Sequence, residues 1–447
     1  MNQQIDSSPW LPVSATQLSL LNCEADQVLF GGSVAGGKSD ALLGYSILRS
    51  HNALLLRRQF PQLLSLQNRL RQIFPASKYY RATEATWTFP DGRSLELGSC
   101  PNVSDVEKFQ GRPHDALLLD EATHFSEDQV NFLTAWLRSA DGRPCRLIMA
   151  SNPPMDGTGQ WVVDWFKPWI DPSHPNPAKG GELRYFKRIA GRMQEVAEGT
   201  EASISRTYIP SRLADNPFLS ETDYASRLSN LPKQLAQALL DGDFFAGAQD
   251  RPLQVIPNSW IRESQSKWTE GTDLPMTHVG VDCSRGGRDR TVIVCRHRNW
   301  VAEPIILSRE ESATGGSVTA RILQIIGDEN PRVRVDGIGV GSSVVDHLHA
   351  YIGHLCESVI NSQAAPGRKG EYTNRRAYDY WNLRQRLDPA TSTLQLPPST
   401  ALYSELSAPE YTLTARGIQV QSKEDLIRKL GRSPDIADAV VLACSVG

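Results

Sequence analysis

The sequence has few cysteines, no long apolar run and no excess of basic charge. Its seven cysteines among 447 residues are scattered and form no CxxC pair. That pattern argues against a disulfide framework or a zinc site and indicates a reducing compartment. No apolar run approaches the roughly 18 residues of a membrane-spanning helix. The first residues, MNQQIDSSPW, lack the charged and apolar regions of a secretory signal. We therefore expect a protein that is neither secreted nor inserted in a membrane.

Charge is balanced along the chain. The first 250 residues hold 24 Lys and Arg against 28 Asp and Glu, and the remainder holds 23 against 22. A protein with this balance has no broadly basic surface for nucleic acid. A DNA-binding surface would have to be a local patch or be assembled from several subunits.

The first half predicts a doubly wound α/β domain. Short apolar runs at Val28–Phe30, Ala53–Leu56, Ala116–Leu119 and Arg146–Ala150 are typical of strands in a parallel sheet covered on both faces. Helical patterns such as Asp128–Arg138 separate them. Alternating strands and helices indicate a doubly wound α/β domain, which we place at residues 1–205.

The second half predicts a separate mixed α/β domain. Residues Asp215–Phe245 have a helical pattern, so 206–250 is predicted to be a helical lid or linker, with the domain boundary at Ala246–Pro257. Residues 251–447 would then form a domain of the ribonuclease-H-like type. Its predicted elements are three strands and a final helix, at Thr277–Val281, Thr291–Arg296, Arg332–Val335 and Pro434–Cys444.

A phosphate-binding loop follows the first strand. It matches G-x-x-x-x-G-K-[ST] in full, with Gly32, Ser33, Val34, Ala35, Gly36, Gly37, Lys38 and Ser39. Backbone N–H groups of such a loop wrap phosphate oxygens, and the following helix adds its dipole. We expect Lys38 to reach the β- and γ-phosphates of ATP and Ser39 to bind Mg²⁺.

Two adjacent acids end the predicted strand Ala116–Leu119. Asp120 would hold Mg²⁺ through water, and Glu121 would orient and deprotonate the attacking water. An acid beside the magnesium-binding Asp is expected of ATP hydrolases rather than of kinases. With the phosphate loop, it predicts that residues 1–205 are a P-loop ATPase domain of the RecA-like type. The alternative is a charged helix N-terminus without a catalytic role.

Three further signals for the nucleotide site are weaker. Ser151 and Asn152 leave the sheet near Asp120 and would sense the γ-phosphate, although Ser-Asn-Pro is also common in turns. Arg112 would act as an arginine finger on a neighbouring subunit, or is an ordinary surface arginine. Gln17 would hydrogen-bond adenine.

Carboxylates end three elements of the second half. Asp282 and Asp336 follow strands, and Asp435 and Asp438 are three residues apart in the first turn of the last helix. If they converge, they form an oxygen-rich site for two Mg²⁺ or Mn²⁺ ions that would cleave a phosphodiester. Singly, each acid is more often structural. Asp289 is a possible auxiliary acid.

The segment from Arg368 to Arg386 is rich in basic and aromatic residues. Six basic side chains stand among Tyr and Trp residues, a composition that suits phosphate contact. A solvated helix face with a buried aromatic stripe explains it equally well. The nearby histidines, His347 and His349, lack i,i+4 spacing, so we assign them no metal.

With these motifs, the sequence resembles the large terminase subunit of tailed bacteriophages along nearly its whole length. Each matching block is modestly specific, and their order makes the set highly specific. In chain order the blocks are GGSVAGGKS, FQGRPHDALLLDEA, ASNPP, DNPFL with LLDGDFF, IPNSW, GVDCSRGGRDRT, VRVDGIGVG and GRSPDIADAVVLA.

The resemblance implies a motor that uses ATP and Mg²⁺ to move double-stranded DNA through a portal protein into a procapsid. It also implies an endonuclease that cuts concatemeric DNA, in which Mn²⁺ can replace Mg²⁺. The implied partners are a small terminase subunit and copies of the chain in a ring, expected to be a pentamer. The implied location is the host cytoplasm, docked on the procapsid.

The resemblance also bears on individual residues. Several family members have an arginine early in the phosphate loop, whereas Lys38 is the only cation in this loop. Arg112 therefore gains weight as the charge that a neighbour supplies. Members differ in which acid of the last helix binds metal, so Asp435 and Asp438 are both retained.

Two other functions compete with this one. A helicase or repair translocase with a fused nuclease would explain the LLLDEAT motif. However, only about 100 residues follow Ser151 before the predicted nuclease, which is too short for a second RecA-like lobe. The other alternative is an ATP-switched scaffold with an inactive nuclease, against which Glu121 argues.

Overall fold

The computed structural model describes most of the chain as two compact units, Met1–Ala248 and Gln249–Gly447. The residues that it describes are 9–139, 141–154, 159–171, 174–189, 192–218, 228–230, 236–244, 250–251, 253–284, 290–366 and 370–445.

Ten strands form one sheet in the first unit. They are β1 (Gln27–Gly32), β2 (Asn52–Arg57), β3 (Tyr80–Arg81), β4 (Thr86–Thr88), β5 (Ser94–Ser99), β6 (Ala116–Asp120), β7 (Arg146–Ser151), β8 (Arg184–Ile189), β9 (Arg192–Val196) and β10 (Ile204–Ser211). The helices among the described residues are α1 (Ala15–Asn22), α2 (Lys38–Leu48), α3 (Leu64–Ile73), α4 (Glu127–Ala135), α5 (Gln160–Trp165) and α6 (Lys167–Ile170).

The sheet order is β3-β4-β5-β2-β6-β7-β1-β10-β8-β9, and the six strands from β5 to β10 in that order are parallel. Apolar side chains on the two faces of the sheet belong to two separate buried clusters, as a doubly wound sheet requires. The predicted α/β class is therefore confirmed. The carboxyl ends of β1, β2, β6 and β7 lie at one edge, where such folds bind ligands.

The sheet extends past residue 205, where we predicted that the ATPase core ends. Strand β10 begins at Ile204, continues to Ser211 and pairs with β1 in parallel. About half of the helical segment predicted at Asp215–Phe245 lies outside the described residues. Within it, Gln237–Asp241 forms a turn of π-helix.

The second unit contains a smaller mixed sheet and a separate hairpin. Its strands are β11 (His278–Asp282), β12 (Val292–His297), β13 (Trp300–Val301), β14 (Ile305–Ile306), β15 (Arg332–Asp336), β16 (Cys356–Val359), β17 (Tyr411–Thr414) and β18 (Gly417–Val420). Its described helices are α7 (Asn258–Ser266), α8 (Gly315–Ile326), α9 (Val340–Ile352), α10 (Arg375–Leu387), α11 (Thr400–Ser407), α12 (Lys423–Leu430) and α13 (Asp435–Cys444).

The order of the main strands, β13-β12-β11-β15-β16, identifies the fold of this unit. The first three strands form an antiparallel meander, and β15 and β16 continue the sheet in parallel with β11. Numbered from β11, skipping the short β14, the order is 3-2-1-4-5, which is the arrangement of a ribonuclease-H-like sheet. The sequence-based prediction of this fold is confirmed.

Helix α13 packs directly on β11 because the strand has glycine at its centre. A Cβ at Gly280 would lie 2.1 Å from Ala439 O and 2.4 Å from Ala443 N. No side chain fits between these two backbones. The contact fixes the first turn of α13 against the end of β11, and both of these segments carry acids.

We expect Gly280→Ala to destabilise the second unit by about 3 kcal/mol, because overpacking forces the two backbones apart. That change corresponds to a fall in melting temperature of about 10 °C, measured by calorimetry. The matched control is Gly316→Ala in α8, where the nearest atoms to a Cβ would be 3.8 and 3.9 Å away. Equal melting temperatures for the two variants would show that α13 does not depend on this close approach.

Two predictions from composition can be compared with the structure. All seven cysteines are free thiols in this structure. Among the described helices, none is long and apolar enough to cross a membrane.

Two candidate active sites

The phosphate loop joins β1 to α2 and is tightly packed. Gly32 and Gly37 have φ angles of +135° and +77°, which side chains disfavour. A Cβ at Gly36 would lie 2.2 Å from Ser211 Oγ at the end of β10. Glycine is therefore required at all three positions, and the N-terminus of α2 directly follows them.

The chain that follows β10 holds the phosphate loop in place. Three hydrogen bonds join the two segments, from Leu213 N to Ser33 Oγ (2.7 Å), from Asn216 Nδ2 to Ala35 O (2.6 Å) and from Val34 N to Leu239 O (2.8 Å). The part of the chain predicted as a lid or linker therefore contacts the loop that would bind phosphate.

Lys38 and Gln17 both hydrogen-bond the backbone of the loop. Lys38 Nζ donates to Ser33 O, and burial lowers the pKa of this amine to about 8. Gln17 Nε2 donates to Gly37 O (3.1 Å), and its Oε1 accepts from Val13 N (2.8 Å). Gln17 is thus a brace of the loop in this structure, and its contact with adenine stays a prediction.

Asp120 and Ser39 meet at the carboxyl edge of the sheet, as predicted. Ser39 Oγ donates to Asp120 Oδ1 (3.1 Å), and Asp120 is only 2% exposed. Sequence analysis missed Arg57, which donates through Nε to Asp120 Oδ2 (2.8 Å). The pairing of β2 with β6 matches Leu56 with Leu119, so the next residues, Arg57 and Asp120, lie side by side.

Glu121 has a backbone conformation that is strained for a residue other than glycine, with φ 58° and ψ 52°. Its carboxylate accepts from Asn152 Nδ2 (3.2 Å), and burial, together with the charge of Asp120, raises its pKa. Ser151 Oγ lies 2.9 Å from Thr123 Oγ1 and accepts from Thr123 N. The end of β7 therefore positions the turn that carries Glu121.

Arg112 is not assembled with the nucleotide site of its own chain. It precedes β6, whereas Asp120 ends that strand, so the two lie toward opposite ends of it. Its guanidinium pairs with Glu96, whose other oxygen is 3.1 Å from His114 Nε2. Its side chain is 53% exposed, so a role on a neighbouring subunit's nucleotide stays a prediction.

The second unit brings its predicted acids together. Parallel strands β11 and β15 end at Asp282 and Asp336, and the first turn of α13 presents Asp435 and Asp438. Burial raises the pKa of Asp282 well above its usual value, and neighbouring carboxylates add to this. The pKa of Asp336 is also raised by burial.

An ammonium group that sequence analysis missed lies among these acids. Lys423 Nζ, on the first residue of α12, is 3.1 Å from Asp282 Oδ2, 3.1 Å from Asp438 Oδ2 and 3.6 Å from Asp435 Oδ1. Burial alone would lower its pKa, but the charges of Asp438 and Asp282 raise it, so Lys423 stays protonated. The ammonium is therefore the cation that these three carboxylates share.

The two acids of α13 have different partners. Asp438 Oδ1 accepts from Tyr380 OH (2.8 Å) and Arg376 Nη1 (3.0 Å), and Asp435 Oδ2 accepts from Arg290 N (2.9 Å). Burial would raise the pKa of Asp438, but Arg376 and Lys423 hold it below its usual value. Its Oδ2 faces Lys423 Nζ at 3.1 Å.

The chemistry of these acids suits a hard cation, although their side chains are not arranged as a complete coordination site. In the part of the chain that the structure describes, no three His, Cys, Asp or Glu side chains stand ready to hold a metal ion. The carboxylates instead converge on Lys423. Carboxylate oxygens are the ligands that Mg²⁺ and Mn²⁺ prefer, so the donor set fits once the ammonium moves aside.

Lys423→Ala is expected to destabilise the metal-free protein, because three buried carboxylates lose their shared counterion. With allowance for its partial exposure, we expect a loss of about 2 kcal/mol, or about 5 °C in melting temperature. Mn²⁺ should then raise the melting temperature of the variant by more than that of the unaltered protein. Thermal scans in EDTA and in Mn²⁺ measure both effects.

The matched control for this variant is Lys429→Ala on the same helix. Lys429 Nζ pairs with Glu410 (3.1 Å), outside the acid cluster. Its removal should not change the response to Mn²⁺. An identical Mn²⁺ response in all three proteins would contradict the idea that Lys423 holds the place of the metal.

The basic segment before Arg386 is largely internal. Arg376 bonds Asp438, Arg375 pairs with Asp379 and Glu357, and Arg384 donates to backbone carbonyls. For these three arginines the contacts favour a structural role over the alternative of a phosphate-binding surface. Arg368, Lys369 and Asp289 lie outside the described residues.

Fold and site together define the class of the chain. The first unit has a parallel sheet with a phosphate loop and paired acids, which are the features of a P-loop nucleotide-binding domain. The second unit is a ribonuclease-H-like domain with an acid cluster. A scan against family models and a search of curated proteins both find no match.

Among solved structures, the chain is similar to large terminases of phages. For the large terminase of the thermophilic bacteriophage D6E, identity is 15% and the TM-score 0.38, covering 97% of this chain and 100% of that one. For the HK97 bacteriophage large terminase the values are 13% and 0.42, covering 94% and 91%.

A third match covers less than half of this chain. The nuclease domain of the large terminase subunit of bacterial virus Sf6 is 19% identical with a TM-score of 0.35, covering 43% of this chain and 99% of that one. These proteins are of the family that the motifs resemble. At such identities and TM-scores the similarity assigns no activity, which rests on the geometry of the two sites.

Proposed function

We propose that the chain is the ATP-driven motor and endonuclease of a viral DNA-packaging machine, of the large terminase type. The observation that carries the proposal is the presence of two distinct sites on one chain. One joins a phosphate loop to an Asp–Glu pair, and the other gathers four acids in a ribonuclease-H-like unit. An enzyme that moves DNA and then cuts it needs both.

In the first site, each described residue has a definite task in ATP hydrolysis. Lys38 and the loop N–H groups would bind the phosphates, and Ser39 and Asp120 would hold Mg²⁺, which neutralises phosphate charge. Glu121 is placed to take the proton of the attacking water. Its raised pKa suits a general base, and Asn152 Nδ2 fixes its orientation.

In the second site, Asp282, Asp336, Asp435 and Asp438 would hold two Mg²⁺ or Mn²⁺ ions. The ions would supply an activated water and stabilise the leaving oxygen of the phosphodiester. Arg376 and Tyr380 keep Asp438 ionised and oriented, while Lys423 would release the acids as metal enters.

The proposal includes partners that complete the machine. These are double-stranded DNA, a portal protein, a small terminase subunit and further copies of the chain in a ring, on a procapsid in the host cytoplasm. The balanced charge supports a ring, because several small patches around one duplex can hold DNA without preventing its movement. Arg112, exposed and far along β6 from its own phosphate site, would serve a neighbouring nucleotide.

Displacement of a third strand from a DNA triplex tests the motor. We expect the full chain to displace it in the presence of ATP, and Glu121→Gln to fail. Movement along the duplex strips the third strand without separating the other two. Separation of a plain duplex would favour a helicase instead, and ATP binding without turnover would favour a switched scaffold.

A further inference from the structure

Arg57 has no role in the sequence motifs, yet it lies at the centre of the nucleotide site. It is the last residue of β2, the strand next to β6. Its Nε and Nη2 both donate to Asp120 Oδ2, and Nη2 is 3.3 Å from Ser39 Oγ. The side chain is only 14% exposed, so this pairing is made away from bulk water.

The two groups that Arg57 contacts are those proposed to bind Mg²⁺. Ser39 supplies a hydroxyl and Asp120 a carboxylate, and the guanidinium lies against both. The guanidinium and a magnesium ion would compete for Ser39 Oγ and for the charge of Asp120, so binding of Mg²⁺ with nucleotide favours movement of Arg57 away from both groups.

The far side of the guanidinium is anchored, which limits where it can go. Its Nη1 donates to Gln62 O (2.6 Å) and to Ser65 Oγ (3.3 Å), in the 3₁₀ turn and helix that follow β2. A tethered guanidinium that loses one anion will contact the nearest other. Mg²⁺ arrives with the β- and γ-phosphates, whose oxygens match the planar donor fork of arginine.

We propose that Arg57 is a switching cation of the nucleotide site. Without nucleotide it holds Asp120 and Ser39 together, and with Mg²⁺–ATP it moves to the terminal phosphate of the same chain. This role rests on the proposed ATPase function. It gives the site a second cation beside Lys38, although the phosphate loop itself contains only one.

The switch makes nucleotide binding depend on the γ-phosphate. A triphosphate offers Arg57 a new anionic partner in exchange for Asp120, whereas a diphosphate offers a poorer one. Because the residue acts within one chain, the preference should be visible in the isolated protein. Arg112, by contrast, would need a neighbouring subunit.

Equilibrium binding of ADP and of a non-hydrolysable ATP analogue, each with Mg²⁺, tests the proposal. We expect Arg57→Ala to weaken binding of the triphosphate analogue by about 10-fold or more, as the loss of a charge-assisted contact implies. Its affinity for ADP should stay within about threefold, by the same reasoning. Arg57→Lys keeps the charge but not the planar donor fork. Its affinity for the triphosphate analogue should lie between those of the unaltered protein and Arg57→Ala.

Two controls separate this role from a structural one. Arg71→Ala removes an exposed arginine of α3 that donates to Asn68 Oδ1 (2.8 Å) and lies over the Tyr80 ring, and it should leave both affinities unchanged. Melting temperatures report whether each variant is folded. A second readout is the Mg²⁺ midpoint, which should fall in Arg57→Ala because Asp120 no longer has a competing cation.

Each result of the binding measurements supports or overturns the switching role of Arg57. Equal weakening for ADP and the analogue, or no change for either, would overturn the switching role and leave the proposed ATPase intact. An unaltered protein that binds neither nucleotide would instead overturn the ATPase itself, and Arg57's role with it.

Discussion

Asp282→Asn should reduce metal-dependent cleavage of DNA by at least about 10³-fold, the scale of losing an essential active-site group. The carboxylate is 3% exposed, ends β11 and lies 3.1 Å from the ammonium of Lys423. A carboxamide keeps the shape but removes the charge that two cations need. Plasmid cleavage in Mn²⁺, followed over time, measures the loss.

The control for this variant is Asp346→Asn, an exposed acid on α9 that should leave cleavage unchanged. Titration of Mn²⁺ by calorimetry gives an independent measure, because the Asp282 variant should bind the ion more weakly. Cleavage that survives in Asp282→Asn would remove the nuclease from the second unit.

Glu121→Gln should slow ATP turnover by about 10²–10⁴-fold, the usual contribution of a general base. Nucleotide binding should stay within about threefold, because the glutamine is isosteric and the phosphate ligands are unaltered. Phosphate release measures turnover, and a fluorescent nucleotide measures binding. Glu107→Gln, on an exposed turn, is the matched control.

Two results would contradict the role proposed for Glu121. Turnover that persists would show that another group takes the proton, and the Asp–Glu pair would lose its assigned role. Loss of nucleotide binding together with turnover would show that the residue supports the loop rather than the chemistry.

Site residues at the ends of predicted strands could be identified from the sequence, because parallel strands present their carboxyl ends at one edge of the sheet. The phosphate loop after β1, Asp120 at the end of β6 and Asp282 at the end of β11 follow this rule. The pattern of apolar runs also predicted seven of the strands, each within two residues of its observed bounds: β1, β2, β6, β7, β11, β12 and β15. Strands such as β10, which extends the sheet beside β1, have no local signal in the sequence. Their place depends on pairing between segments 170 or more residues apart.

The residues that sequence analysis missed are cations supplied by distant elements. Arg57 pairs with Asp120 of the neighbouring strand, Lys423 lies among three acids of a strand and a helix, and neither cation belongs to a motif. Arg376 was noticed only as part of a basic segment, yet it is buried against Asp438. Buried charges must be paired, so a cluster of acids implies a cation, but the sequence does not say which one.

The central claim, two independent active sites on one chain, is tested most directly by measuring both activities in the same three proteins. We would follow plasmid cleavage in Mn²⁺ and ATP turnover in Mg²⁺ for the unaltered chain, Asp282→Asn and Glu121→Gln. The predicted result is crossed: Asp282→Asn keeps ATP turnover and loses cleavage, while Glu121→Gln keeps cleavage and loses turnover. Loss of both activities in either variant, or of neither in both, would contradict the account.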